Sequence, residues 1–224
     1  MIIKEKLTCI KIDPQGPAER CIIWLHGLGA DGNDFAPIVP EFRLPPSLNT
    51  RFIFPNAPVM PVTINQGYEM RAWFDIYGPD LAAKVDHQGI EQSVQHINQL
   101  IQHELAQGLP AANIMLAGFS QGAVIALITG ILYPQRLAGI IALSGLLPQV
   151  ETVTQHGSAA NRDLPIFMGH GNADNIVPIA LGSAASNGLI KASYPVAWHE
   201  YPMAHSVCGQ EIEDISGWIR KIWG

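Results

Sequence analysis

One five-residue stretch near the middle of the chain constrains its fold more than any other: Gly118-Phe119-Ser120-Gln121-Gly122. The apolar run before it, 114–117, is typical of a buried strand, and the apolar run after it, 123–128, is typical of a buried helix. A strand can pass into a helix within so few residues only if the serine takes strained backbone angles. The two glycines then mark places where a side chain would meet crossing backbone. The pattern predicts a tight turn that holds the serine oxygen clear of the sheet, at a helix N-terminus.

Predicted strands and helices alternate along the chain. Apolar runs predict strands at 7–12, 21–25, 51–54, 114–117, 137–143, 165–168 and 196–201. Capping residues and apolar spacing predict helices at 33–42, from 86 to a stop at 108, 123–128, 179–190 and 210–223. The proline-rich stretch 55–80 is predicted to be irregular and to form a lid or a pocket wall. This order predicts an α/β fold with a mainly parallel, doubly wound sheet and helices on both faces, in a single domain spanning 1–224.

Charge and cysteine content exclude several classes of protein. The formal net charge is −6 and no basic cluster is present, whereas phosphate binding needs concentrated Lys and Arg, so we expect no nucleic-acid partner. No apolar run reaches the length of a membrane span, and Lys4, Glu5 and Lys6 stand where a signal peptide needs apolar residues. The three cysteines are too few for a disulfide framework and match no zinc spacing. The sequence therefore predicts a cytoplasmic protein without stable membrane insertion.

Ser120 needs two partners to act as a nucleophile, because a serine hydroxyl is unreactive at neutral pH. A histidine must take its proton, and a carboxylate must hold that histidine in the right tautomer. In hydrolases with such a strand–turn–helix elbow, the carboxylate and then the histidine follow the serine along the chain. Asp174 and His205 each follow a predicted strand, and sites of such sheets lie at the carboxyl ends of strands. We therefore predict Ser120, Asp174 and His205 as the catalytic residues.

Other side chains compete for these roles. Asp163 precedes its strand, which places it at the wrong end of the sheet. His170 precedes Asp174, so this pair breaks the expected order. A metal site built from His26, His170, Asp174 and His205 is a further alternative, but no His-Glu-x-x-His spacing exists and the serine turn would then be idle. We expect no metal and no cofactor.

An oxyanion that forms during acyl transfer needs two backbone N–H groups aimed at it. Gln121 directly follows the serine and is predicted to supply one of them. Leu28 is predicted to supply the other, because Gly27 and Gly29 let that loop turn inward. His26 is interpreted as a structural hydrogen-bonding residue rather than as a carrier of protons.

Five segments of the chain follow one another in an order typical of a single family. They are His26-Gly27-Leu28-Gly29-Ala30-Asp31-Gly32, Arg71-Ala72-Trp73-Phe74-Asp75, Gly118-Phe119-Ser120-Gln121-Gly122, Gly169-His170-Gly171 with Asp174 and Val177-Pro178, and Met203-Ala204-His205-Ser206-Val207-Cys208. With these segments, which run almost end to end, the chain resembles the carboxylesterase and acyl-protein thioesterase group of small α/β-hydrolases, the phospholipase/carboxylesterase family. The resemblance implies the same triad and oxyanion hole, and it implies that Trp73 lies close to the acyl pocket. Ala123 and Ala204 stand where the family usually has glycine.

The predicted function is hydrolysis of carboxylic esters of short to medium acyl chains by a Ser-His-Asp triad. The substrate is expected to be a small-molecule acyl ester or thioester, and the candidate walls of its acyl groove are 57–76 and Leu146-Leu147-Pro148. An acyl-protein thioesterase and a lysophospholipase share this chemistry and stay open as alternatives. A hydrolase fold used for binding without turnover, and C–C or amide cleavage by the same serine, are alternatives of other classes. The resemblance also allows a homodimer.

Overall fold

The computed structural model of the chain describes residues 6–81 and 84–224, so Lys4 and Glu5, used above for the signal-peptide argument, lie outside it. A seven-stranded sheet forms the centre. Its strands are β1 (Cys9–Ile12), β2 (Arg20–Leu25), β3 (Thr50–Pro55), β6 (Ile114–Phe119), β7 (Gly139–Leu143), β8 (Ile166–Gly171) and β9 (Val196–Tyr201), and a separate hairpin holds β4 (Val59–Val62) and β5 (Tyr68–Arg71). The strand order is β1-β3-β2-β6-β7-β8-β9, with β1 antiparallel to β3 and all other neighbours parallel. The mainly parallel sheet is thus confirmed.

Helices cover both faces of the sheet. One face packs against α1 (His87–Ala106), α2 (Gln121–Leu132), α3 (Val150–Gln155) and α4 (Ile179–Lys191), and the other against α5 (Gly209–Trp223) and a 3-10 helix at Ala36–Phe42. Alternation along β2 sends Ile23 to the first face and Ile22 to the second. Because both faces are covered, the strands of the sheet centre read as continuous apolar runs. Within the described residues, no helix is both long and apolar enough to cross a bilayer.

The prediction that 55–80 is irregular is wrong for two segments of that stretch. Strands β4 and β5 form an antiparallel ribbon in which Val59 pairs with Arg71 and Val62 with Tyr68. Proline at 61 argued against a strand, yet every second N–H of a two-stranded ribbon points away from the partner and can be missing. Gln66 and Gly67, both with positive φ, close the ribbon. That turn was the local signal for a hairpin.

Three other elements differ from the prediction. The segment predicted as a helix over 33–42 is a 3-10 helix, and Pro40 inside it removes a donor that an α-helix would need. Helix α2 begins at Gln121, two residues earlier than predicted and directly after Ser120. The short helix α3 was not predicted.

Candidate active site

The elbow between β6 and α2 has the strained geometry that its sequence predicts. Ser120 has φ 55° and ψ −116°, and its N–H donates to the Leu143 carbonyl at 2.8 Å. A side chain at Gly118 would overlap the main chain of Gly122, and one at Gly122 would come within 2.6 Å of the His26 carbonyl oxygen. Both glycines are therefore required by close backbone packing, and the prediction of a tight, strained turn is confirmed.

Asp174 lies in the loop after β8 and is largely buried. Its Oδ1 accepts hydrogen bonds from the N–H groups of Ile176 and Val177, each at 2.9 Å. Its Oδ2 lies 2.7 Å from Nδ1 of His205, in the loop after β9. An ionised carboxylate can only accept, so Nδ1 of His205 carries the proton and Nε2 is left as the acceptor. This is the tautomer that a general base for a serine hydroxyl must have.

The competing side chains lie in different places. His170 is buried against α4, its Nε2–H donates to the Val177 carbonyl at 2.9 Å, and the same nitrogen lies 3.4 Å from Asp174 Oδ2. It therefore supports the loop that carries Asp174. Asp163 precedes β8 and pairs with Arg136 on the surface, away from the carboxyl ends of the strands. Among residues 6–81 and 84–224, no three His, Cys, Asp or Glu side chains come together as a set of metal ligands.

Ser120 and His205 line one cavity of about 580 Å³. Leu28 and Gln121, the predicted oxyanion donors, line it as well, and the Phe119 ring lies 4.7 Å from the His205 ring between centroids. Gln121 is the first residue of α2, and the first N–H groups of a helix have no acceptor within it. Most of the remaining wall surface is apolar, from Phe74, Ile76, Leu81, Val85, Val124, Leu146, Ile176 and Val177. Polar side chains line it as well: Asp34, Asn65, Asp75, Asp80, Lys84, Asp86 and Asn175.

Only part of the predicted acyl groove lies on this wall. Leu146 does, and so do parts of 57–76, whereas Trp73 and Leu147 are buried behind it. The binding roles expected for Trp73 and Leu147 therefore stay predictions, and Trp73 adjoins Phe74, which does line the cavity. A buried indole N–H needs an acceptor, and Nε1 of Trp73 finds it in the His26 carbonyl at 2.9 Å, beneath the loop that carries Leu28.

His26 is a structural residue, as predicted. Its Nδ1–H donates to the Gly27 carbonyl at 2.7 Å, and its Nε2 accepts the N–H of Ala57 at 3.0 Å. Burial lowers the pKa of His26 below the ordinary histidine value, although the bond to Gly27 opposes the shift. A neutral ring held by both nitrogens cannot carry protons for a reaction.

Sequence reasoning missed the side chain of Gln121. Its amide bonds to the main chain of Trp73 and Phe74, far away in the sequence. Nothing in the local pattern indicates these contacts, because a glutamine in the first turn of a helix is ordinary. Glu211, fully buried in the first turn of α5, was also missed.

Known proteins resemble this chain in both sequence and fold. The acyl-protein thioesterase 1 of Saccharomyces cerevisiae is 38% identical over 92% of this chain and 93% of its own, and a probable carboxylesterase of Oryza sativa is 37% identical over 89% and 76%. The crystal structure of Zea mays acyl-protein thioesterase 2 superposes with a TM-score of 0.86 at 27% identity, covering 97% of this chain and 99% of that one. Residues 9–223 match the profile of one family. The chain belongs to the phospholipase/carboxylesterase family and has the α/β-hydrolase fold.

Proposed function

We propose that this protein is a serine hydrolase that cleaves carboxylic acyl esters, with Ser120 as nucleophile, His205 as general base and Asp174 as the carboxylate that orients His205. One observation carries the proposal. Ser120 stands in a strained elbow on the wall of the cavity that His205 also lines, and Nδ1 of His205 is bonded to Asp174 at 2.7 Å. Strain at a non-glycine residue persists where the surrounding structure imposes it, and such positions cluster at active sites.

The proposed reaction has two halves. Nε2 of His205 takes the Ser120 proton as the serine oxygen attacks the acyl carbonyl, and the N–H groups of Leu28 and Gln121 stabilise the oxyanion. His205 then gives the proton to the leaving alcohol or thiol, which departs and leaves an acyl-serine. Water attacks that ester with His205 again as base, which releases the acid and restores the serine. The charge of Asp174 stabilises the imidazolium that forms in each half.

The family supports ester or thioester hydrolysis, and two kinds of relative bear on the substrate. The rice relative is named a probable carboxylesterase and the yeast relative an acyl-protein thioesterase. We propose small-molecule esters of short to medium acyl chains as substrates, because the largely apolar cavity of about 580 Å³ is of the size that holds one small ligand. Acyl-protein thioesterase activity, with the same steps and a thiol leaving group, is the second candidate, favoured by the yeast relative.

A fluorophosphonate probe and a ladder of p-nitrophenyl esters test the proposal. The probe should label the wild type, and the Ser120→Ala variant should lose both labelling and esterase activity. Ser47→Ala is the matched control, because Ser47 is exposed and lies before β3, away from the carboxyl ends of the strands. A wild type that is not labelled would favour the binding-only alternative, and labelling without esterase activity would favour amide or C–C cleavage. Turnover of long-chain esters alone would contradict the chain-length proposal.

Three further sequence predictions stay predictions: the single domain, the cytoplasmic location and the homodimer. Sedimentation at several protein concentrations tests the dimer. A sedimentation coefficient that stays at the monomer value across the range would contradict it.

A further inference from the structure

The Gln121 side chain is buried and bonded to two main-chain groups of a distant segment. Its Oε1 accepts the N–H of Trp73 at 2.8 Å, and its Nε2 donates to the carbonyl of Phe74 at 2.6 Å. One planar amide thus satisfies a donor and an acceptor of consecutive residues. Phe74 lines the cavity, so these bonds fasten a piece of the cavity wall to the first residue of α2.

Trp73 continues the connection to the other side of the cavity. Its indole Nε1–H donates to the His26 carbonyl at 2.9 Å, and its own carbonyl accepts the Ser93 hydroxyl of α1. The His26 and Trp73 rings lie 5.3 Å apart between centroids. Through Trp73, Gln121 is therefore tied to the peptide that enters the loop of Leu28. We call these linked residues, Gln121, Trp73 and His26, the brace.

We propose that the side chain of Gln121 is a positioning residue, which through the brace sets the separation of the two N–H groups that stabilise the oxyanion. The inference rests on the proposed function, which makes Leu28 and Gln121 those donors. The donors belong to a loop after β2 and to the start of α2, so their spacing depends on contacts between separate segments. Donors fixed before the reaction need no reorganisation as charge develops, which is why a small displacement slows the chemical step.

The Gln121 amide acts in the brace both as a donor and as an acceptor. A substitution that removes only the donor at high pH therefore tests the brace. In Gln121→Glu, a protonated carboxyl group can still donate to Phe74 and accept from Trp73. An ionised carboxylate can only accept, so it faces the Phe74 carbonyl without a donor. The variant should therefore regain activity as the pH falls. In Gln121→Met, which has a similar volume, both main-chain groups lose their partner at every pH.

Titratable groups adjoin the brace on each side. His26 packs against Trp73, Asp75 directly follows Phe74, and Asp86 accepts the N–H of Asp75. The cavity that Phe74 and Gln121 line is also lined by His205, Asp34, Asp80 and Lys84. All of them are present in wild type and variants. The informative quantity is therefore the ratio of the kcat of the variant to that of the wild type at each pH, in which the titration of these shared groups cancels.

The experiment measures kcat and KM of wild type, Gln121→Glu and Gln121→Met on one p-nitrophenyl ester from pH 5.5 to 9. Gln99→Glu, at an exposed position of α1, controls for the added charge. We expect the Gln121→Glu ratio to fall about tenfold from the acid to the alkaline end, mainly in kcat, because the ionised carboxylate leaves the buried Phe74 carbonyl without a donor. We expect the Gln121→Met ratio to be low throughout and the Gln99→Glu ratio to stay near one. Thermal unfolding of each variant at each pH shows whether a low kcat ratio is due to unfolding of that variant.

Two results would overturn the inference. One is a Gln121→Glu ratio that does not change with pH while the variant stays folded, and the other is a Gln121→Met variant with wild-type kcat. A wild type that neither hydrolyses esters nor reacts with the fluorophosphonate probe contradicts the proposed function and removes this inference with it. An active wild type with an unchanged Gln121→Glu ratio contradicts the inference alone, so the two failures are distinguishable.

Discussion

At Ser120 the main chain holds a conformation that costs on the order of 1–3 kcal/mol, and neighbouring backbone keeps it there. Gly122 lies against that backbone, and a Cβ there would be 2.4 Å from the Leu25 carbonyl oxygen and 2.6 Å from the His26 carbonyl oxygen. We expect Gly122→Ala to lower the free energy of unfolding by about 3 kcal/mol or more, since neither backbone segment can move aside. Activity at 25 °C should be lost with it. Chemical denaturation and the esterase assay measure both effects.

Gly217 provides the matched control for that prediction. It lies on the exposed side of α5, and a Cβ there would meet no atom within 4 Å. Gly217→Ala should stabilise the protein by about 0.5–1 kcal/mol, because alanine loses less conformational freedom in a helix. Equal stability of the Gly122→Ala and Gly217→Ala variants would mean that the elbow tolerates a methyl group there.

Glu211 makes stability depend on pH. It is fully buried, and burial, with a smaller contribution from the charge of Asp214, raises its pKa to about 8. The unfolded chain loses this proton near the ordinary pKa of 4.5, whereas the folded chain keeps it up to about pH 8. Unfolding therefore releases a proton in this window, and stability falls as the pH rises through it. We expect the loss to approach about 1.4 kcal/mol per pH unit for one group.

A Glu211→Gln variant isolates this contribution, since glutamine does not titrate. Its free energy of unfolding, compared with that of the wild type between pH 5 and 8, should show the wild type losing stability relative to the variant. Glu213→Gln is the control, because Glu213 is exposed on the same helix. A difference between wild type and Glu211→Gln that is constant over the window would show that the buried carboxyl group does not keep its proton.

The elements of the sheet were predictable because local chemistry determines them. In β2 and β6 nearly every residue is buried, so the apolar run alone marks the strand, and β9 has its predicted bounds. The ribbon of β4 and β5 has mostly exposed or half-buried residues, and Pro61 interrupts the short apolar run of β4, so no continuous apolar run marks it. Its pairing depends on the turn at Gln66 and Gly67.

Asp86, the residue that caps helix α1, also bonds to Asp75 in the wall of the cavity. Oδ1 of Asp86 accepts the N–H of Gly89 at 3.0 Å as an N-cap, and Oδ2 accepts the N–H of Asp75 at 2.9 Å. We expect Asp86→Ala to lower the free energy of unfolding by about 1–2 kcal/mol, because two N–H groups lose their acceptor. Asp86→Asn keeps one acceptor oxygen and should lose less. Urea denaturation of both variants checks the order, and equal losses would contradict the double role of Asp86.

On the scale of the whole molecule, parallel strands bring distant residues to one edge of the sheet. Asp174 follows β8 and His205 follows β9, so their meeting could be predicted from chain order and strand direction. The orientation of Trp73 could not, because the direction of a buried polar side chain depends on where its hydrogen-bond partner lies. The Trp73 indole points to the His26 carbonyl for this reason, and the spacing of residues along the sequence does not indicate this contact.

The hydrogen bonds of Asp174 determine how an asparagine side chain would be oriented at that position. Oδ1 accepts two N–H groups, from Ile176 and Val177, so the oxygen of an asparagine would stay there and its NH₂ group would face His205. Nδ1 of His205 would then have to accept, and the ring proton would move to Nε2, which could no longer take the proton of Ser120.

We expect Asp174→Asn to lower kcat by about 10⁴-fold, the scale of a wrong tautomer in a serine triad, with little change in KM. Stability should change little, because the loop bonds of Oδ1 survive. Asp163→Asn, at the surface partner of Arg136, is the control and should keep the wild-type kcat. Steady-state kinetics decides the point: an Asp174→Asn enzyme with undiminished kcat would mean that the carboxylate does not set the histidine tautomer.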